Sequence, residues 1–137
     1  MSHDLSALLS PFEDVTADMF AAYIECALWS SVHYDAPDAD GVPMDDLVDL
    51  DDLAADTLTS LSSELNDFVS LCYYLGLSWD ECTDEQIGHD FWLTRNGHGA
   101  GFWDRGLGSL GEALSSAART FGSCDLYIGD DGNIYAQ

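Results

Sequence analysis

Hydrophobic residues recur every three or four positions through the first half of the chain, a spacing typical of amphipathic helices. The first such stretch runs from about Val15 to Ser31, with Thr16 as a candidate N-cap and Asp18 close to the expected helix N-terminus. Its apolar positions are Phe20, Tyr23, Ile24, Ala27 and Leu28. The pattern predicts one helix, followed by a loop around His33 to Pro43 that is rich in Asp, Pro and Gly.

A second helical region is predicted from about Met44 to Leu75, and we expect it to break into two helices between about Asp52 and Thr57. Its apolar positions are Leu47, Leu50, Ala54, Leu58, Leu61, Leu65, Phe68 and Cys72. Its polar face carries Asp45, Asp49, Asp52 and Asp56. A short third helix is expected from about Thr83 to His89, where Thr83 and Gln86 match a capping box.

The pattern changes after residue 90 and becomes typical of short strands. The segments 91–95 and 100–104 flank Asn96-Gly97, a dipeptide that strongly favours a hairpin turn. We therefore predict an antiparallel hairpin over Phe91 to Asp104, with its turn within Asn96 to Gly99. Leu107 to Phe121 is predicted to form a helix with Gly122 as its C′ residue. Asp125 to Tyr135 is predicted to form a second hairpin around Asp131-Gly132.

These elements predict an α+β fold in a single domain of 137 residues. N-terminal helices would pack on a small antiparallel sheet made of two C-terminal hairpins with one intervening helix. Residues 1–90 would form an acidic helical part, and residues 91–137 the hairpin, helix and hairpin. We expect the large aromatic side chains to pack in the core and the hairpins; they are Tyr23, Trp29, Tyr34, Tyr73, Tyr74, Trp79, Trp92, Phe102 and Trp103.

The charge is distributed very unevenly along the chain. Residues 1–90 contain 21 Asp and Glu residues and no Lys or Arg, whereas residues 91–137 contain five acids together with Arg95, Arg105 and Arg119. The formal net charge of −23 therefore divides into −21 on the first part and −2 on the second. Because self-repulsion in so one-sided a field destabilises a compact chain, we expect either a salty environment or a partner that responds to the field.

Eight carboxylates in one short segment are the candidate partner-binding groups: Asp35, Asp38, Asp40, Asp45, Asp46, Asp49, Asp52 and Asp56. On a helix, acids three and four positions apart line one face about 5–6 Å from each other. Duplex DNA presents about one charge per 1.7 Å of its axis, so such an array can compete for the same Arg and Lys side chains. We expect a protein partner with a basic, nucleic-acid-binding surface; the alternative is a solvated acidic face that aids solubility. With so few basic residues, we expect no direct binding to nucleic acid or to anionic membranes.

Candidate catalytic and metal-binding groups are few. Arg95 and His98, in or beside the loop Asn96-Gly97-His98-Gly99, could serve a small hydrolase or transferase. We favour a structural interpretation, in which the glycines supply turn dihedrals and Arg95 or Arg105 pairs with a local acid. The four cysteines, Cys26, Cys72, Cys82 and Cys124, show no CxxC spacing and no regular spacing with the histidines. We therefore expect buried, reduced thiols, with no catalysis, no cofactor and no metal.

The stretch from Asp90 to Tyr135 resembles a module of small phage-encoded proteins. The similarity rests on Asp-Phe-Trp-Leu-Thr-Arg-Asn-Gly-His-Gly-Ala-Gly-Phe-Trp-Asp-Arg-Gly and on the ending Leu-Tyr-Ile-Gly-Asp-Asp-Gly-Asn-Ile-Tyr. In charge pattern only, the acidic part resembles the DNA-mimicking inhibitors that phages use against restriction and CRISPR systems. The combination implies a phage anti-defence protein in the cytoplasm of the infected host, which blocks the DNA-binding channel of a CRISPR effector complex. An antirestriction protein that acts on a restriction-modification enzyme is the close alternative.

An alternative of another class is an ordinary cytosolic domain, or a small enzyme, that is adapted to a salty cytoplasm. Twenty Asp against six Glu, with no Lys, fit such an adaptation, but the near-neutral C-terminal third fits it less well. Obligate halophily predicts unfolding at low ionic strength, whereas a DNA mimic should be folded in dilute buffer. The N-terminal Met-Ser-His-Asp-Leu lacks a basic start and a hydrophobic stretch, so we expect no secretory signal. The sequence leaves the oligomeric state open.

Overall fold

The computed structural model describes residue 9 and residues 15–34, 40–80, 82–98 and 100–137. Over these residues the fold is α+β, as the sequence predicts. The helices are α1 (Ala17–Ser30), α2 (Ala55–Tyr74), α3 (Asp84–Arg95) and α4 (Ser109–Arg119). The strands are β1 (Val32–His33), β2 (Val42–Pro43), β3 (Leu126–Ile128) and β4 (Ile134–Ala136). They form two separate antiparallel pairs, β1–β2 and β3–β4, instead of one sheet built from two C-terminal hairpins.

Helix α1 is confirmed, and its local chemistry explains where it begins. Thr16 is its N-cap, and the Thr16 Oγ1 accepts a hydrogen bond of 3.1 Å from the backbone N–H of Met19. The predicted apolar stripe is buried, including Phe20 and Ile24. Its burial supplies the free energy that holds this helix against the rest of the molecule.

The region before α2 differs from the prediction. The break between Asp52 and Thr57 is confirmed, but the segment before it consists of two 3-10 turns, Met44–Asp46 and Leu50–Asp52. Short acidic side chains bond readily to nearby backbone N–H groups, which favours caps and turns over a helix interior. The second turn shows this chemistry directly, because Asp49 caps it.

The hairpin predicted for Phe91 to Asp104 is wrong. Its first half is the end of α3, which continues to Arg95, and its second half contains a 3-10 turn over Phe102–Asp104. All six residues of 90–95 are buried. A helix that is buried on all sides has no polar face to reveal its 3.6-residue period, so this segment resembles a strand in sequence.

Side-chain hydrogen bonds and a glycine mark the two ends of α3. The Thr83 Oγ1 accepts a hydrogen bond of 3.1 Å from the Gln86 N–H, so the predicted helix start is confirmed. At the other end the Asn96 Nδ2 donates to the Trp92 carbonyl at 3.0 Å. Gly97 follows with φ 71°, the left-handed conformation that glycine favours. Asn-Gly therefore ends a helix here and does not form a hairpin turn.

The C-terminal hairpin is confirmed and is attached to α2. Tyr127 lies opposite Tyr135 in the β3–β4 pair, which carries the predicted turn. The Ile134 carbonyl accepts hydrogen bonds from the Ala54 N–H (3.0 Å) and from the Thr57 Oγ1 (2.8 Å). The hairpin thus fixes the first turn of α2, just after the acidic turns. Helix α4 is also confirmed within its predicted range.

The core lies among the four helices, and α3 is at its centre. The Phe91 ring stacks between Phe68 of α2 (4.3 Å between ring centroids) and Tyr23 of α1 (5.2 Å). The prediction that the aromatic side chains form the core holds for Tyr23, Trp92 and Phe102, whereas Trp29, Tyr34, Tyr73, Tyr74 and Trp103 are exposed. In the described ranges we find no helix with the length and apolar character that crossing a bilayer requires.

Candidate functional site: the acidic segment and its surroundings

The predicted binding carboxylates do not share one helical face, so that part of the prediction is wrong. Asp40 precedes β2, Asp45 and Asp46 belong to the first 3-10 turn, Asp49 and Asp52 belong to the second, and Asp56 lies in the first turn of α2. Asp35 and Asp38 lie outside the described residues. We call residues 40–56 the acidic segment. Its backbone is mostly irregular, because a run of Asp residues favours turns.

Six of the seven acids of this segment, all but Asp51, fall into two groups by their contacts. The Asp49 Oδ1 accepts a hydrogen bond from the Asp51 N–H, and the Asp52 Oδ2 accepts one from the Asp49 N–H, both at 2.9 Å. These two carboxylates therefore stabilise the second 3-10 turn. The second group consists of the exposed carboxylates of Asp40, Asp45, Asp46 and Asp56. These four can be replaced without removing a hydrogen bond that holds the turn.

The Arg95 side chain is buried and binds to other groups of the same chain. It is only 2% exposed and forms an ion pair with Glu64 of α2. It also donates to the Tyr23 hydroxyl at 2.9 Å and to the carbonyl of Gly122 at 2.9 Å. Burial alone would lower the pKa of the Arg95 guanidinium, but the interactions with Tyr23 and Glu64 outweigh it and raise that pKa. Arg95 therefore ties α1, α2 and α3 together as a permanent cation.

Arg105 neutralises a fully buried carboxylate. Asp90 is 0% exposed, and its Oδ1 and Oδ2 accept hydrogen bonds from the Arg105 Nη2 (2.8 Å) and Nε (3.1 Å). The hydrogen bonds to Asp90 raise the pKa of Arg105. The paired geometry compensates for the loss of water around the carboxylate. The expected pairing of Arg105 with a local acid is confirmed, whereas Arg95 pairs with an acid 31 positions away.

The third arginine, Arg119, lies on the surface with its Cζ 5.4 Å from the centre of the Trp103 ring. Each of the three arginines thus has an intramolecular partner. The first two partners, Glu64 and Asp90, lie outside the acidic segment. In the ion pairs of the described residues, no arginine pairs with Asp40, Asp45, Asp46 or Asp56. The arginines therefore leave the negative charge of these four carboxylates in place.

The residues suggested for an enzyme do not form a common site. His98 lines two cavities, of about 350 and 370 Å³, but Arg95 lines neither of them. The four cysteines form no disulfide bond in the described part of the chain, and three of them are buried. Burial raises the pKa of Cys26 and of Cys72 to about 12, so both thiols stay protonated near neutral pH. Protonated thiols are poor nucleophiles and poor metal ligands.

Trp29 is a surface feature that the sequence interpretation missed. Its side chain is 61% exposed, near the C-terminus of α1. It lines the cavity of about 370 Å³ that His98 also lines, and two further cavities: one of about 430 Å³ on the side of α3, and one of about 440 Å³ on the side of the acidic segment. Glu25, four positions earlier and on the same face of α1, lines these two further cavities. The signal was present in the sequence, because Trp29 lies outside the apolar stripe that predicts α1.

In comparisons with protein families, curated proteins and solved structures, the chain has no significant match.

Proposed function

We propose that the protein is a phage anti-defence inhibitor that binds the basic DNA-binding channel of a host CRISPR effector complex. Binding takes place through the acidic segment, in the host cytoplasm. The observation that carries this proposal is the exposure of Asp40, Asp45, Asp46 and Asp56 in a molecule whose arginines already have partners of their own. The resemblance of the C-terminal part to a phage module supports the same origin.

The mechanism follows from the electrostatics of nucleic-acid binding. A DNA-binding channel concentrates Arg and Lys side chains, whose counterions are released when a polyanion enters. The carboxylates of the acidic segment lie in two 3-10 turns, before β2 and in the first turn of α2, so they compete through charge density and not through a regular helical repeat. Association should be fast and strongly dependent on salt. Each single exposed ion pair should contribute about 0–1 kcal/mol, so inhibition should depend on several acids together.

The experiment uses two variants with the same change in net charge. The test variant replaces Asp40, Asp45, Asp46 and Asp56 by Asn. The control variant replaces four exposed acids elsewhere, and these are Asp67→Asn, Glu112→Gln, Asp125→Asn and Asp130→Asn. Tagged wild-type protein first captures partners from a host lysate at low salt, and a salt step elutes them. The captured complex is then assayed for binding to duplex DNA in the presence of each protein.

We expect the wild type and the control variant to prevent DNA binding, and the test variant to lose this inhibition while keeping its circular dichroism spectrum. Relief of repulsion should leave the test variant as stable as the wild type, or slightly more stable. A folded test variant that still inhibits fully would contradict the proposal, and so would a captured partner whose contact surface is acidic. Capture of a restriction-modification enzyme in place of a CRISPR complex would overturn the choice of target.

A further inference from the structure

The indole of Trp29 is the least expected apolar group on this acidic surface. An exposed fraction of 61% is high for a tryptophan, a side chain that is usually mostly buried. One partner is already in place, because the His89 ring lies against the indole with 6.5 Å between ring centroids and an angle of 30° between the planes. The indole therefore already accepts a planar, nitrogen-containing group, and more than half of its surface remains open.

The cavity on the acidic side of Trp29 combines an apolar floor with carboxylates. Ile24, Leu28, Val48 and Leu50 supply apolar surface, and Glu25, Asp45 and Asp49 supply negative charge. The apolar part of the cavity suits a hydrocarbon chain, and the carboxylates suit a cation. Arg and Lys side chains have this shape, since they bury their methylene stems and keep the charged group at the edge.

The end of α1 adds to the preference for a cation. Trp29 is the second-last residue of that helix, and the last turn contains no basic residue. The carbonyl groups at a helix C-terminus carry a partial negative charge, which favours a cation close by. On the far side, the cavity toward α3 is also lined by Glu85. An anionic ligand would therefore be repelled on both sides of the indole, and a purely apolar ligand would displace water from these carboxylates without giving them a partner.

We propose that Trp29 is the anchor for an arginine side chain of the protein partner, stacked on the indole with its stem in the cavity beside Leu28 and its guanidinium near Glu25. This inference rests on the proposed function, and it adds a specific contact to an interaction that otherwise depends on total charge. Arginine is the preferred occupant over lysine, because its planar guanidinium stacks on an aromatic ring and also binds a carboxylate through two N–H groups.

The test uses nonaarginine and nonalysine peptides as probes, with binding measured by isothermal titration calorimetry at low salt. The proteins are the wild type, Trp29→Ala, Trp29→Phe and the control Tyr74→Ala, which removes an aromatic side chain that is 87% exposed on another part of the surface. We expect the wild type to bind nonaarginine more tightly than nonalysine. Trp29→Ala should weaken binding of nonaarginine by about threefold to thirtyfold, the range expected for a cation–π contact. Trp29→Phe should be intermediate, and Tyr74→Ala should match the wild type.

Several results would overturn the anchor. One is equal affinity of the wild type and Trp29→Ala for nonaarginine, and another is equal affinity of the wild type for the two peptides. A third is a dimer that sediments as a monomer only after Trp29→Ala, because the cavity would then hold a second copy of this chain. Trp29→Phe keeps the test valid if Trp29→Ala does not fold. The proposed function fails by a different result, full inhibition of DNA binding by the variant that lacks Asp40, Asp45, Asp46 and Asp56.

Discussion

Arg95 is the residue on which most of the internal structure converges. Its guanidinium contacts side chains of α1 and α2 and the carbonyl groups of the turn after α4. Its Cζ also lies 5.4 Å from the centre of the Phe91 ring. The sequence predicts Arg95 at the end of a strand, beside the loop Asn96-Gly97-His98-Gly99, where Arg95 or Arg105 would pair with a local acid. The residue is instead a buried cation whose hydrogen bonds hold distant parts of the chain together.

We predict that Arg95→Met lowers the free energy of unfolding by about 3 kcal/mol, measured by urea denaturation. The change leaves Glu64 and the Tyr23 hydroxyl without their cation and removes the hydrogen bonds to the carbonyl groups. Arg119→Met is the matched control, since it makes the same change in net charge at an exposed position and should cost about 0.5–1 kcal/mol. Equal losses for the two variants would mean that net charge, and not the buried hydrogen bonds, determines the effect.

Among the elements, α1 and α3 form the closest pair, and a glycine makes that closeness possible. Gly88 of α3 is buried against α1, and a Cβ atom placed there would lie 2.0 Å from the Met19 carbonyl oxygen and 3.1 Å from the Tyr23 nitrogen. Both of these are backbone atoms, which cannot turn away as a side chain does. At one end of the pair, the Thr16 Oγ1 also donates to the Asp84 Oδ2 at 2.9 Å. The two helix N-termini are therefore joined.

We predict that Gly88→Ala destabilises the protein by about 2 kcal/mol or more, because the two helix backbones must move apart. Helix propensity alone predicts the opposite effect, a free energy of unfolding that is higher by about 0.5–1 kcal/mol. Thermal unfolding followed by circular dichroism measures the change. Ser116→Ala, on the exposed face of α4, is the control and should leave stability unchanged or slightly higher. A Gly88→Ala variant with a higher melting temperature would show that the helices are not in close backbone contact.

At the scale of the whole molecule, the few positive charges and the many negative ones occupy different places. Two arginines neutralise buried or half-buried acids, and no arginine in the described ion pairs pairs with Asp40, Asp45, Asp46 or Asp56. The fold is held by a helical core whose large side chains, such as Phe68 and Phe91, contact several elements. Such a core can keep the chain folded despite repulsion at the surface, although the repulsion lowers the free energy of unfolding.

We predict that the protein is folded in dilute buffer and that added NaCl raises its melting temperature by about 5–10 °C. Salt screens repulsion among exposed carboxylates, and about 1 kcal/mol corresponds to roughly 4 °C in a domain of this size. Sucrose at matched osmolality is the control for general solvent effects. The rise should be smaller in the variant with Asn at positions 40, 45, 46 and 56. A chain that is unfolded until salt is added would favour the halophilic alternative.

The sequence by itself determined the helices and the hairpin whose caps, apolar stripes and turns are formed by residues close together along the chain. The side chains of Thr16 and Thr83 cap their helices because a threonine hydroxyl accepts from a backbone N–H close in sequence. The stripe that includes Leu61, Leu65 and Cys72 predicts α2 because only one side of that helix faces the core. The Asp131-Gly132 turn predicts the last hairpin, again from residues that are adjacent in sequence. These interactions need no knowledge of the remainder of the chain.

Tertiary structure alone decided the features that depend on distant partners. The segment 91–95 is helical because it is surrounded by α1, α2 and α4, and burial on every side removes the periodicity by which a helix is recognised. Glu64 is the partner of Arg95 across 31 positions, a pairing that no local spacing encodes. Trp92 is predicted in a strand but lies on α3, and the packing of α3 against α1 encloses its indole, whose Nε1 donates to the Ser30 Oγ at 2.8 Å.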